Sequence, residues 1–269
     1  MSIEIWKKKA VSGIIKSRSG KIQKRGEIMT IEIDTHAHTL VSGHAYNTMR
    51  EMVQMAAEKG LKGLALTEHA PKMPGSTNLY YFENLGVVPR KMYGIDVLLG
   101  SELNILDAAG SVDLPKSVLR KLDIAIASIH TLCFEDEWKK EPVTEAYLNA
   151  MENPWIDIIG HPDDGRFPVD YPTIVKKAKE TGTLLELNNS SLRPGGFRQN
   201  TKENAIEMLR CCKELGAKIV LGSDAHVDAF IADCTWSEPI LREVDFPEEL
   251  IVNTSIVKLK EALKRNKKL

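Results

Sequence analysis

The stretch that decides the fold is Ile31-Glu32-Ile33-Asp34-Thr35-His36-Ala37-His38, a short apolar run that ends in two histidines two places apart. A similar arrangement returns late in the chain, where Lys218-Ile219-Val220-Leu221-Gly222 leads into Ser223-Asp224-Ala225-His226. Between them, apolar runs cover residues 63–66, 96–101, 123–127, 156–160 and 183–187. Together with 31–34 and 218–222 these give seven expected strands. Most are rich in Val, Ile and Leu, as suits strands buried on both faces. Amphipathic stretches separate several of them. One runs over 49–59, with Thr48 and Glu51 spaced as a capping box and Gly60 as its stop. Others follow Tyr171-Pro172 as far as Gly182, run from Asn200 to Gly216, and cover 256–264. Repeated strand–helix units predict a parallel sheet. Seven strands in a chain of 269 residues predict an α/β barrel, with an open doubly wound sheet as the other solution.

All seven histidines sort onto this frame. His36, His38, His69, His130, His161 and His226 each come just after an expected strand, and His44 lies in the loop leaving the first. Glu102 and Asp224 follow the same rule. In a parallel barrel every strand C-terminus opens on one rim, where active sites are built, so residues far apart in sequence converge there. His36 and His38, like Asp224 and His226, are two apart and project to one side of extended chain. Any one of these residues alone is better explained as a satisfied polar side chain. Their common placement is better explained as a metal centre. Imidazole with carboxylate suits zinc, manganese or iron, and no cysteine falls at a matching position. Nine candidate ligands exceed the needs of one or two ions and suit three, with Glu102 able to bridge.

Composition narrows the class. The formal net charge is −1, against a protein built mainly to hold nucleic acid. Residues 1–28 carry eight Lys/Arg against two Glu, a local +6 that leaves −7 for the rest. That segment has no uninterrupted apolar stretch and makes a poor secretory signal. It is expected to be a non-essential or disordered extension, with residues 29–269 forming one domain. No apolar run approaches the roughly 20 residues of a membrane span. The four cysteines show no C-x-x-C spacing, which points to a reducing, cytoplasmic setting.

The motifs also carry a resemblance. Asp34-Thr35-His36-Ala37-His38-Thr39 and Thr67-Glu68-His69-Ala70 resemble the first two motifs of the PHP (polymerase and histidinol phosphatase) superfamily. Leu99-Gly100-Ser101-Glu102, Ser128-Ile129-His130, Gly160-His161-Pro162 and Gly222-Ser223-Asp224-Ala225-His226 are similar to the rest, in order. Ser42-Gly43-His44-Ala45-Tyr46, Glu186-Leu187-Asn188-Asn189-Ser190-Ser191, Val244-Asp245-Phe246-Pro247 and Asn253-Thr254-Ser255 resemble the YcdX-like phosphatase branch. Glu68 and Ala70 depart from that branch, which often has Asp and Gly there. The resemblance implies a distorted (β/α)7 barrel with three divalent ions, zinc first and manganese or iron as alternatives. It implies one ion on His36, His38, Glu102 and Asp224, a second on Glu102, His130 and His161, and a third on His44, His69 and His226.

Three dications, less Glu102, Asp224 and one hydroxide, would leave about +3 at the mouth, which favours a phosphate ester. The expected reaction is phosphomonoester hydrolysis by a metal-bridging hydroxide attacking phosphorus in line, with Glu102 and Asp224 as the catalytic carboxylates. No G-x-S-x-G elbow or P-loop offers another route. Arg193 follows a strand and is a candidate phosphate grip. Asp34 either orients His36 or only ends its strand, and Asp163-Asp164-Gly165 is expected to be a simple turn rather than a proton donor. The competing expectations are a phosphodiesterase or nuclease, an amidohydrolase-like C–N hydrolase and a non-catalytic metal-binding domain. The expected partner is a small phosphorylated substrate, with neither nucleic acid nor membrane. A homo-oligomer is left open.

Overall fold

The computed structural model describes residues 21–24 and 27–268. Residues 1–20, 25 and 26 of the expected basic extension lie outside the described residues. The rest of it pairs as an antiparallel hairpin, β1 (Lys21–Lys24) against β2 (Glu27–Thr30), so the boundary expected at residue 29 falls inside β2.

The following strands are β3 (Ile33–Asp34), β4 (Gly63–His69), β5 (Lys91–Met92), β6 (Ile95–Asn104), β7 (Ile124–Ser128), β8 (Ile158–Ile159), β9 (Leu184–Asn188) and β10 (Ile219–Gly222). Seven of them pair in parallel in the order β10-β9-β8-β7-β6-β4-β3, and β5 adds to β6 antiparallel. The seven-stranded α/β barrel expected from the sequence is the fold observed. Two expected strands are too short, however. β4 continues to His69 and β6 to Asn104, because the two stay in register with His69 opposite Glu102 and remain buried there. His69 and Glu102 therefore stand on strands rather than beyond them.

Helices fill the connections. The helix Met49–Glu58 has the full capping box between Thr48 and Glu51, and Tyr171–Thr181 ends at Gly182 in the left-handed conformation that glycine adopts freely. Thr201–Leu215 and Ile256–Ala262 also match expectation. The helices Lys140–Glu152 and Ser237–Val244 were not foreseen. Pro142 reads as a helix breaker, but it falls in the first turn of Lys140–Glu152, where its missing N–H costs nothing. No helix among the described residues is long and apolar enough to cross a membrane.

The core has two layers. A large apolar cluster lies between sheet and helices. A smaller one fills the barrel with residues from all seven parallel strands: Ile33, Ala65, Leu98, Ile158, Leu184 and Val220, with both Ile124 and Ile126 from β7. Leu259, Ala262 and Leu263 plug it at the N-terminal ends of the strands. Behind that plug the Arg265 guanidinium binds Asp157 and the carbonyls of Leu119, Leu122 and Trp155.

The ring closes between β3 and β10 largely through side chains. Buried Asn253 donates to the carbonyls of Ile33 (3.0 Å) and Leu221 (2.8 Å) and accepts from the Leu221 N–H (3.0 Å). Asp34 accepts from the Ser223 N–H and hydroxyl and from the Ala232 N–H. Its carboxylate also takes the His36 backbone N–H, so Asp34 stitches the seam and does not hold the His36 ring. Asn253→Ala would orphan the buried Ile33 carbonyl and Leu221 N–H and leave the Leu221 carbonyl only the Thr35 hydroxyl at 3.3 Å. It is expected to cost about 3 kcal/mol of stability, seen as a lower urea midpoint with an unchanged slope.

Candidate metal centre

The strand C-termini bring all nine candidate ligands to one mouth. Glu102 is its centre. Its Oε1 lies 2.9 Å from His161 Nε2 and 3.3 Å from His130 Nε2. Its Oε2 lies 2.7 Å from His69 Nδ1 and 3.5 Å from Nε2 of both His36 and His38. Asp224 Oδ1 faces the same two rings at 3.7 and 3.4 Å. His44 Nε2 is 3.2 Å from His69 Nε2, and the His226 ring stacks against that of His44 and meets that of His38 at a tilt, 4.5 Å between centroids. Three triads have ligand atoms within 4.8 Å of one another: His36–His38–Glu102, His69–Glu102–His130 and His38–His69–His226. His69 thus approaches Glu102 as well as His44 and His226, where the resemblance assigns it to the third ion alone.

The donor set fits cations. His36 and His38 aim their Nε2 atoms at each other from 3.1 Å. Glu102 Oε2 and His69 Nδ1 are buried and, although 2.7 Å apart, are not aligned for a hydrogen bond with each other or with any other group, a state that a shared cation relieves. Two ligands also hold left-handed backbone, His161 at φ 30° and Asp224 at φ 54°. Such conformations are uncommon outside glycine and cluster at functional sites.

Electrostatics point the same way. Burial works against ionised Glu102, but His130, His36 and His69 outweigh it and hold the carboxyl well below its ordinary range. For Asp224 burial is likewise overcome, by His36, His38 and Arg198. Burial and the neighbouring rings of His69 and His226 push His38 well down, and push His44 down to about 4. Ionised carboxylates and neutral imidazoles are the states ligation needs. His36 runs the other way: Glu186, Glu102 and Asp224 overcome its burial and raise it, so a cation there would take the place of a proton.

An outer ring fixes the ligands: Ser42, Glu68 and Glu186 lie in stretches that carry the resemblance, which does not mark their roles, and Asn104 lies in none of them. Glu186 Oε1 accepts from His36 Nδ1 at 2.7 Å, and its Oε2 accepts from the His161 N–H (2.9 Å) and Asn188 Nδ2 (3.0 Å). His38 Nδ1 meets the Ser42 hydroxyl, which donates to Glu68, and His130 Nδ1 meets Asn104 Oδ1. Such partners set ring orientation and tautomer. Glu68, one of the two departures from the resembled branch, also takes the Thr39 N–H and hydroxyl.

Above the ligands lies a cavity of about 530 Å³ bordered by Arg166, Arg193 and Arg198. Arg193 is exposed, with its guanidinium 5.3 Å from the Phe230 ring centre. Arg198, nearly buried, binds Asp224 Oδ2 (3.2 Å), Asn188 and Ser191. It lies ten residues beyond β9, past a Gly-Gly turn, and nothing in the local sequence marks it. The Asp163-Asp164 turn forms as expected, and Asp164 anchors Arg166 through its Nε and a terminal nitrogen. Asp163 is buried, which pushes it up to about 7 against the pull of Arg198.

Comparison with known proteins agrees with this geometry. The PHP domain profile matches residues 34–192. A probable phosphatase of Caldicellulosiruptor saccharolyticus is 47% identical over 236 residues, 88% of this chain and 97% of the relative. A probable phosphatase of Thermoanaerobacter sp. (strain X514) is 43% identical over 240 residues, 89% and 97%. Among solved structures, the histidinol phosphate phosphatase of Lactococcus lactis, complexed with zinc, L-histidinol and phosphate, shares the fold. Its TM-score is 0.53 at 18% identity, covering 81% of this chain and 95% of that one. The chain belongs to the PHP domain family.

Proposed function

We propose that the protein is a metal-dependent phosphatase of small phosphomonoesters, with three divalent ions held by His36, His38, His44, His69, Glu102, His130, His161, Asp224 and His226. The observation that carries it is buried Glu102, whose two oxygens face separate groups of imidazoles, among them His69, His130 and His161, which line the cavity. The relatives named probable phosphatases support the reaction class. The zinc in the Lactococcus complex makes zinc the first choice, with manganese and iron as alternatives. When bound, the ions supply Lewis-acid charge at phosphoryl oxygens and bring the pKa of water towards neutrality.

The chain's own residues do the rest. Glu102 and Asp224 spread negative charge over the ligand set, and Glu186, Ser42 and Asn104 fix the rings of His36, His38 and His130. Arg193, exposed at the rim, grips the phosphoryl group, and Arg166 and Arg198 add positive charge around a dianion. Residues 29–269 carry the activity, with 1–28 dispensable to it. The test is elemental analysis of purified protein together with phosphate release from phosphomonoesters and phosphodiesters. Three ions per chain are expected, with turnover of monoesters lost on chelation and restored by zinc or manganese. Metal-free protein that still cleaves monoesters, or a preference for diesters, would overturn the proposal.

A further inference from the structure

A cavity of about 640 Å³, larger than the one above the ligands, opens at the other end of the barrel. Asp96 and Leu98 line it from the start of β6, and Leu122 and Asp123 from the residues just ahead of β7. Lys260, Leu263 and Arg265 reach it from the end of the helix Ile256–Ala262 and the turn after it. Its volume lies in the range of roughly 300–1,000 Å³ usual for small-molecule sites.

The charges around this cavity do not cancel. Asp123 is matched by Arg90, whose Nε lies 2.6 Å away, and Arg265 by Asp157 behind the wall. Asp96, by contrast, is shared by two lysines, Lys260 Nζ at 2.7 Å and Lys91 Nζ at 3.8 Å. Arg120, on the rim, is exposed and has no carboxylate partner among the described residues. One positive charge is left over at Asp96 and a second at Arg120. This surplus runs against the rest of the domain, since residues 29–269 sum to −7. A cleft with charge of one sign over low-dielectric walls concentrates ions of the other. The walls here are apolar: Leu98, Leu122 and Leu263 are buried, and half-buried Trp155 adds an indole that suits a flat ring.

We propose that this cavity binds a second small molecule, an organic anion with two negative charges on a flat apolar body. Its charged groups meet Arg120 and Lys260, and its body lies against Trp155 and the leucines. The site needs neither the metal centre nor the reaction proposed for it. The two are nevertheless joined by one strand, because β6 starts at the cavity and carries Glu102 six residues beyond Asp96, about 20 Å further on.

The probe is naphthalene-1,5-disulfonate, a flat dianion whose sulfonates are poor ligands for divalent metals. Calorimetry on the metal-loaded full chain is expected to show one saturable site. Its affinity should fall about ten-fold in Arg120→Ala and in Lys260→Ala, fall with added salt, and stay unchanged in Arg193→Ala at the opposite mouth. Circular dichroism shows that the variants fold. Butane-1,4-disulfonate carries the same charge without a ring and should bind about ten-fold more weakly than the naphthalene. No saturable binding, an affinity untouched by either Arg120→Ala or Lys260→Ala, or a loss in Arg193→Ala would overturn the site. Equal affinities for the two disulfonates would overturn its preference for a flat body.

Discussion

Glu102→Gln is expected to lower turnover on the order of a thousand-fold or more and to reduce the number of ions bound per chain. Gln keeps the shape of Glu, so the barrel should fold. What changes is chemistry at the one side chain whose two oxygens face two sets of rings. The amide removes a full negative charge from between cations and turns one acceptor into a donor pointing at imidazole nitrogens. No neighbour can compensate, because Asp224 faces only the His36 and His38 side of the mouth among these rings, beside His226. Elemental analysis and phosphate release on the same preparation, with circular dichroism to show folding, check the outcome. A folded variant with wild-type ion content and turnover would remove the centre from the mechanism.

Glu186→Gln is expected to cost about 10- to 100-fold in metal affinity or turnover, although Glu186 is not among the proposed ligands. Its carboxylate takes three donors at once: His36 Nδ1, the His161 N–H and the Asn188 amide. An amide in its place must turn an N–H towards at least one of them. His36 then loses the acceptor that fixes its Nδ1–H tautomer and keeps Nε2 free for a cation. Gly222→Ala attacks the same contact from the other side, since a Cβ there would overlap Glu186 Oε1 and press on the His36 side chain. Both variants should release metal to a competing chelator earlier than wild type does. Unchanged release in both would show that His36 holds its position without Glu186.

Much of this was legible in the sequence, and the reasons are physical. Strands buried on both faces leave continuous apolar runs, and a parallel barrel puts whatever follows them on one rim. The placement of seven histidines could therefore be read before any coordinates. The strand ends could not: His69 and Glu102 are polar, and only the neighbouring strand shows that the ladder continues through them. The helix Lys140–Glu152 was hidden by Pro142, which breaks a helix interior but not a first turn. The outer ring was hidden for a different reason. Ser42 and Glu186 sit in stretches that carry the resemblance and Asn104 in none, but the roles of all three come only through partners up to 150 positions away. Arg198 likewise finds Asp224 across the mouth.

The seam between β3 and β10 joins Asp34 to Ser223, 189 positions apart. Ligands from the first barrel strand, His36 and His38, and from the last, Asp224 and His226, meet only once that seam has formed. Ions bound there would act as a reversible clasp between distant parts of the chain, as a disulfide does in an oxidised protein. Because the clasp exists only in the closed ring, free metal would set how tightly the ring stays shut, adding stability as RT ln(1 + [L]/Kd). Starvation for metal would then loosen the molecule first at its circumference, long before the rest of the barrel gave way.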